Sequence, residues 1–169
     1  MTAFGENLAL LLVRELSTFE RELDLFPDDA SAWKTGPGIA NSSANLALHV
    51  SGNLRHFVGT VLGGTGYVRH REREFGKREG AREDVKAELR AAIRDVETVL
   101  PSLPGDAWTR PYPEPVNGVI LPTDRFLMHL CSHAAYHLGQ ASFVRRVVTG
   151  QGTSSGPVPL GPLGLRPAP

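Results

Sequence analysis

Apolar residues recur at helical spacing in four long stretches, and no comparable run of alternating residues is available to build a sheet. In the first stretch, about residues 3 to 26, Leu8, Leu12, Leu16, Phe19 and Leu23 share one face while Arg14, Glu15, Arg21 and Glu22 take the other. Pro27 and Asp28 close it. Asn41, Ser42 and Ser43 offer caps for a second helix over about 43 to 62, which Gly63 and Gly64 stop. The third helix, about 82 to 100, carries Val85, Leu89, Ala92, Val96 and Val99 on one stripe and ends at Pro101 and Pro104. The fourth begins near Pro122 to Asp124, runs to about Thr149 and is ended by Gly150.

Four amphipathic helices without strands predict an all-α, four-helix bundle over residues 1–150, with functional groups built on facing helices. The connections are longer than a simple up-down bundle needs, so at least one of them crosses over. The stretch Thr65 to Ala81 is dense in charge and reads as a solvated crossover with no core of its own. Asn117-Gly118 between apolar residues fits a short hairpin in the loop before the last helix. Residues 151–169 are rich in Gly and Pro and read as an irregular C-terminal tail.

With 18 basic and 18 acidic side chains, there is no positive field to gather a phosphate backbone, and nucleic acid is not an expected partner. Membrane association is not expected either. The early apolar run Leu8 to Val13 is far too short to span a bilayer, and neither a basic segment before it nor a small-residue cleavage site after it marks a signal peptide. The expected location is cytoplasmic. The single cysteine, Cys131, rules out an internal disulfide and leaves no thiolate pair for a metal.

The chemistry is concentrated in the fourth helix, where His129, His133 and His137 fall at i, i+4 and i+8. On a helical wheel, His133 and His137 lie within about 20° of Phe126, beside the apolar arc of Leu130, Ala134, Ala141, Val144 and Val148. Both point inward, whereas His129 lies at the margin. Buried imidazoles need partners, and two of them one turn apart make a ready chelate for a metal, the alternative being a hydrogen-bonded pair within the core. The second helix offers His49 and His56 as a third ligand, on one side with Asn53. His49 is the better matched in level if the two helices run antiparallel, although level alone does not decide between them. His56 and His129 read more readily as satisfied core or part-exposed residues than as ligands, and His70 as ordinary surface.

Other motifs fail on a missing residue. Gly63-Gly64-Thr65-Gly66 follows a helix, not a strand, and lacks the Gly-Lys-Ser/Thr ending of a phosphate loop. His133 and His137 have the spacing of a zinc protease, but Ala134 stands where its glutamate belongs. No Glu-x-x-His pair supports a di-metal carboxylate site.

The run Leu48-His49-Val50-Ser51-Gly52-Asn53-Leu54-Arg55-His56, together with His133-x-x-x-His137-x-Gly139-Gln140, resembles the DinB-like family across about residues 3 to 149. The resemblance implies a bundle of up-down-down-up order in which His49, His133 and His137 hold one divalent ion, nickel, zinc or similar. Leu138 departs from the arginine that many members carry there. Characterised relatives join low-molecular-weight thiols to small electrophiles or isomerise a substrate with such a thiol. The implied function is metal-dependent activation of a thiol or water toward a small-molecule substrate, the alternative being a non-catalytic metal-binding or stress-response bundle. Asn53 and Gln140 are the residues expected to orient ligands from behind, with Tyr136 and His129 as weaker candidates. A homodimer is also implied, and surplus apolar residues on the first two helices, Leu10, Val13, Leu46 and Leu48, agree with it.

Overall fold

The computed structural model describes residues 3–156 and 158–164. Its helices are α1 (Ala3–Asp24), α2 (Asp29–Ala32), α3 (Ser43–Leu54), α4 (Arg71–Gly76), α5 (Arg82–Ser102) and α6 (Thr123–Thr149). The four long ones match the four apolar stretches, and no strand forms among the described residues. Their buried faces share one core, with Leu12, Leu16, Phe19, Val50, Leu89, Val96, Leu127 and Ala134 wholly or almost wholly enclosed.

Helix directions follow from the residues that meet. Lys86 reaches Asp24 and Arg90 reaches Glu20, so α1 and α5 are antiparallel. Ser43 Oγ donates to the Ala141 carbonyl while Phe57 packs on Phe126, so α3 and α6 are antiparallel too. Glu22 pairs with Arg145 near the far ends of α1 and α6, which run parallel. The order is up-down-down-up, with the crossover between α3 and α5.

Local chemistry explains the boundaries. Ser42 and Asn45 form a reciprocal capping box at the start of α3. Gly150 adopts a φ of 68°, the left-handed conformation that ends α6. Beyond Leu54 the second long helix does not stay α-helical, as its apolar spacing predicts, but winds as a π-helix over Arg55–Leu62. That stretch holds Val58, Gly59, Thr60 and Val61, residues with weak preference for the α form. The hairpin before α6 is reduced to isolated bridges, Val116 with Val119 around Asn117 and Gly118, and Pro111 with Pro122. Asn117 and Gly118 have φ of 50° and 80°, as a tight hairpin turn requires.

Two readings of charge are corrected. Glu15 and Glu22, assigned to the solvent face of α1, are buried. Glu15 is held by Arg14, and Glu22 accepts from Arg145 Nε at 2.7 Å and from Ser155 Oγ at 2.6 Å. A partner 123 residues away cannot be seen in a local pattern. The crossover is likewise not wholly solvated, since Glu74 is buried and Asn45 Nδ2 donates to the carbonyls of Glu74 and Lys77.

Of the expected tail, residues 157 and 165–169 lie outside the described residues. Residues 151–156 have no regular structure, yet Arg145 donates to the Thr153 carbonyl and Ser155 to Glu22, and Gly161–Leu163 form one turn of 3-10 helix, so the tail is not irregular throughout. Of the apolar residues read as surplus, Leu46 is buried and Leu10, Val13 and Leu48 are half-buried, while Met128, Tyr136, Phe143 and Val147 are exposed on α6. Among the described residues no helix is long and apolar enough to cross a membrane.

The Arg145–Glu22 pair generates a stability prediction. Arg145→Met leaves Glu22 buried without its cation and should cost about 3 to 5 kcal/mol in urea denaturation. Burial raises the Glu22 pKa, but hydrogen bonds from Ser155 and Arg145 outweigh it and hold the carboxyl below its ordinary 4.5. Its contribution is therefore present above that value and lost as pH falls through the lower folded one. The stability gap between wild type and Arg145→Met should close on acidification.

Candidate metal centre

Three imidazoles converge where α3 faces α6. His49 Nε2 lies 3.2 Å from His133 Nε2, and His137 Nε2 lies 3.1 Å from the same atom. One ring nitrogen from each residue falls within 4.8 Å of the others. His49 is buried and the other two are half-buried, so the cluster lies at the edge of the core with one side toward solvent.

The opposite ring nitrogens face acceptors that favour one tautomer. His137 Nδ1 donates to Gln140 Oε1 at 2.8 Å, and His49 Nδ1 donates to Glu74 Oε2 at 3.0 Å, with the donor Arg69 Nη2 also 3.2 Å from that nitrogen. With those protons on Nδ1, both Nε2 atoms present lone pairs toward His133 Nε2. Burial, with His137 and His49 adding to it, pushes the His133 pKa down to about 3, and burial lowers that of His137 too. His133 and His137 therefore resist protonation. At most one proton is then shared among three nitrogens, and such a set of neutral donors fits a divalent ion. The separations of 3.1 and 3.2 Å are near the roughly 3.3 Å edge of a tetrahedron with ~2.0 Å bonds to nitrogen.

Glu74 is the residue that sequence reasoning missed. It projects from α4 in the charged crossover, and its carboxylate also takes Arg69 Nε at 2.7 Å and Arg69 Nη2 at 2.9 Å. Burial raises its pKa, but these bonds and that from His49 outweigh burial and hold it below its ordinary value. It stays an anion. Room for it comes from Gly52, where a Cβ would stand 2.2 Å from Glu74 Oε1. A glycine inside a helix is the one signal the sequence offered, since it weakens α3 by about 1 kcal/mol relative to alanine. Phe75, next along α4, packs against the His49 ring in a tilted contact, with centroids 4.6 Å apart.

The remaining candidates take other positions. Gln140 orients His137, whereas Asn53 is buried with Oδ1 unpaired and makes no hydrogen bond to the triad. His56 bonds Glu114 at 2.9 Å, two turns from His49, and is not part of the cluster. His129 is exposed, stacked on Phe126, with its ring 5.9 Å from that of His133. Tyr136 is exposed with its ring 5.2 Å from that of His137. Leu138 is buried and lines the side of α6 that faces Glu15, Thr18 and Glu22. Ala134 is wholly enclosed in the core, and its methyl group puts no carboxylate at the protease glutamate position.

A family model, that of the DinB superfamily, matches residues 11–141. No curated protein matches the chain in sequence. Among solved structures, a conserved protein from Enterococcus faecalis is similar, with a TM-score of 0.70 and 17% identity, over 89% of this chain and 99% of that one. At that identity the likeness is one of fold.

The orienting role of Glu74 can be tested from two sides. Glu74→Gln, which keeps the shape but weakens the acceptor, should lower zinc affinity about 10- to 100-fold in competition with a chelating dye. Gly52→Ala should lower it as well, because its Cβ displaces the carboxylate. Unchanged affinity in both variants would show that Glu74 does not orient His49.

Proposed function

The chain belongs to the DinB superfamily, and on that premise we propose that His49, His133 and His137 hold one divalent metal ion that serves a thiol- or water-dependent reaction on a small electrophile. The observation that carries this reading is the convergence of three Nε2 atoms, two of them with the opposite nitrogen committed to Glu74 and Gln140. A divalent ion on three neutral imidazoles keeps its charge and open positions, and the Lewis acidity it supplies lowers the pKa of a thiol or water toward neutrality.

The protein's own part is to hold that chemistry in place. Glu74 and Gln140 keep His49 and His137 in the tautomer that offers Nε2, and burial keeps His133 neutral over the working pH range. Glu74 is engaged by Arg69 and His49 and is not free to carry protons. With Ala134 in the core, the reading needs no carboxylate base and excludes a zinc-protease mechanism. The half-buried His133 and His137 leave a small molecule a route to the centre, which favours catalysis over storage.

Two measurements check this. Protein purified without an affinity tag should contain about one divalent ion per chain by elemental analysis. His133→Ala, His137→Ala and His49→Ala should lose it, while His56→Ala retains it because Glu114 already occupies that imidazole. Conjugation of low-molecular-weight thiols to small electrophiles, screened with His137→Ala as the blank, should vanish on chelation and return with added zinc. Equal rates in the loaded protein and the blank would remove the catalytic reading and leave a metal-binding bundle.

A further inference from the structure

Arg69 keeps a free donor beside the candidate metal centre. Its Nε and Nη2 donate to the two oxygens of Glu74, and Nη2 lies 3.2 Å from His49 Nδ1. Nη1 shares a carbon with Nη2 and so stands beside His49 too. It makes no hydrogen bond among the described residues and is not enclosed, so it reaches solvent. The side chain as a whole is only 13% exposed. A largely buried cation thus holds Glu74 with one edge of its fork and leaves the other edge to a partner from outside.

Asn53 is the second, independent observation. His49, Asn53 and Phe57 follow one another at single turns along one face of α3 and its π-helical continuation. Arg69 meets His49, and its guanidinium carbon lies 5.8 Å from the centre of the Phe57 ring, so it stands over the turn that carries Asn53. Asn53 is 7% exposed, and its side chain makes no hydrogen bond among the described residues. Oδ1 is enclosed, whereas Nδ2 is not and reaches solvent. A side-chain amide so far removed from water calls for a partner, and none comes from the protein.

Charge selects the ligand. Glu74 is the one carboxylate hydrogen-bonded to the three histidines among the described residues, and Arg69 already balances it. A divalent ion on neutral imidazoles therefore brings positive charge that no nearby anion offsets. Two free donors on planar groups match the two oxygens of a carboxylate. We propose that Arg69 Nη1 and Asn53 Nδ2 bind a carboxylate of the small molecule that enters the centre, and so select anionic reactants over neutral ones. The inference rests on the metal reading above and narrows it to carboxylate-bearing reactants.

The test compares acids with amides of equal size on the full zinc-loaded chain by isothermal titration calorimetry. The pairs are 3-mercaptopropionate against 3-mercaptopropionamide for the thiol, and crotonate against crotonamide for the electrophile. At least one acid should bind about tenfold or more tightly than its amide, and the pair that shows the preference says which reactant carries the carboxylate. Arg69→Lys, which keeps a cation on Glu74 but loses the free nitrogen, should cut that preference to about threefold or less with zinc content unchanged. Asn53→Leu, similar in size, gives a second route should Arg69→Lys fail to fold, and should weaken the preference by about threefold or more. Equal affinity of acid and amide in both pairs would overturn the proposal. So would a preference that survives in the folded variants, because the acid would then be held by the ion alone. Zinc held without discrimination overturns this inference and spares the metal reading, whereas a chain that takes up no zinc overturns both.

Discussion

An ionised carboxylate removed from water must be paired, and Glu74 meets that requirement in a way that organises much of the molecule. Its partners are Arg69 on one side and His49 on the other, so charge-assisted hydrogen bonds tie the crossover to α3, alongside the Phe75–His49 ring contact and the bonds from Asn45. The tie requires a gap in the surface of α3, and Gly52 provides it. It also sets which nitrogen of His49 carries the proton, and hence which one is available on the far side of the ring. The path of the crossover and the setting of His49 in the candidate metal centre both depend on one buried charge.

Seen this way, the centre has a rigid side and an open side. His49, Glu74, Arg69 and Phe75 form the rigid side, drawn from α3, α4 and the segment between them. His133 and His137 stand on one helix a turn apart, with Gln140 as the brace behind the second. His129 and Tyr136 flank them without a hydrogen bond to either. The buried elements determine where nitrogen lone pairs point, and the exposed ones determine what reaches them.

How much of this could be read from the chain depends on the range of each interaction. His133 and His137 were legible because their spacing places both beside an apolar arc on a single helix, a purely local property. His49 needed one further step, the antiparallel match of α3 to α6, together with a family pattern. Glu74 was not legible. In Arg69-His-Arg-Glu-Arg-Glu74 each charge looks like every other, and only the void at Gly52 selects one of them for burial. Glu22 escaped notice for the same reason, its partner being Arg145 at the far end of the chain. The π-helical turns after Leu54 were hidden as well, since apolar residues recur there at a spacing compatible with either winding.

That Glu22 pairing also bears on how the molecule is made. The partners of Glu22 lie 123 and 133 residues downstream, so α1 leaves the ribosome long before anything exists to neutralise its inner carboxylate. Until Arg145 and Ser155 arrive, docking α1 against the nascent core would strand a charge, and the helix is better kept in water or in the care of a chaperone. Contacts of such long sequence separation slow folding relative to a bundle closed by neighbouring helices. The Glu22 side of α1 can therefore be closed only once α6 and the segment after it are in place, although the ion pairs of α1 with α5 need no such wait.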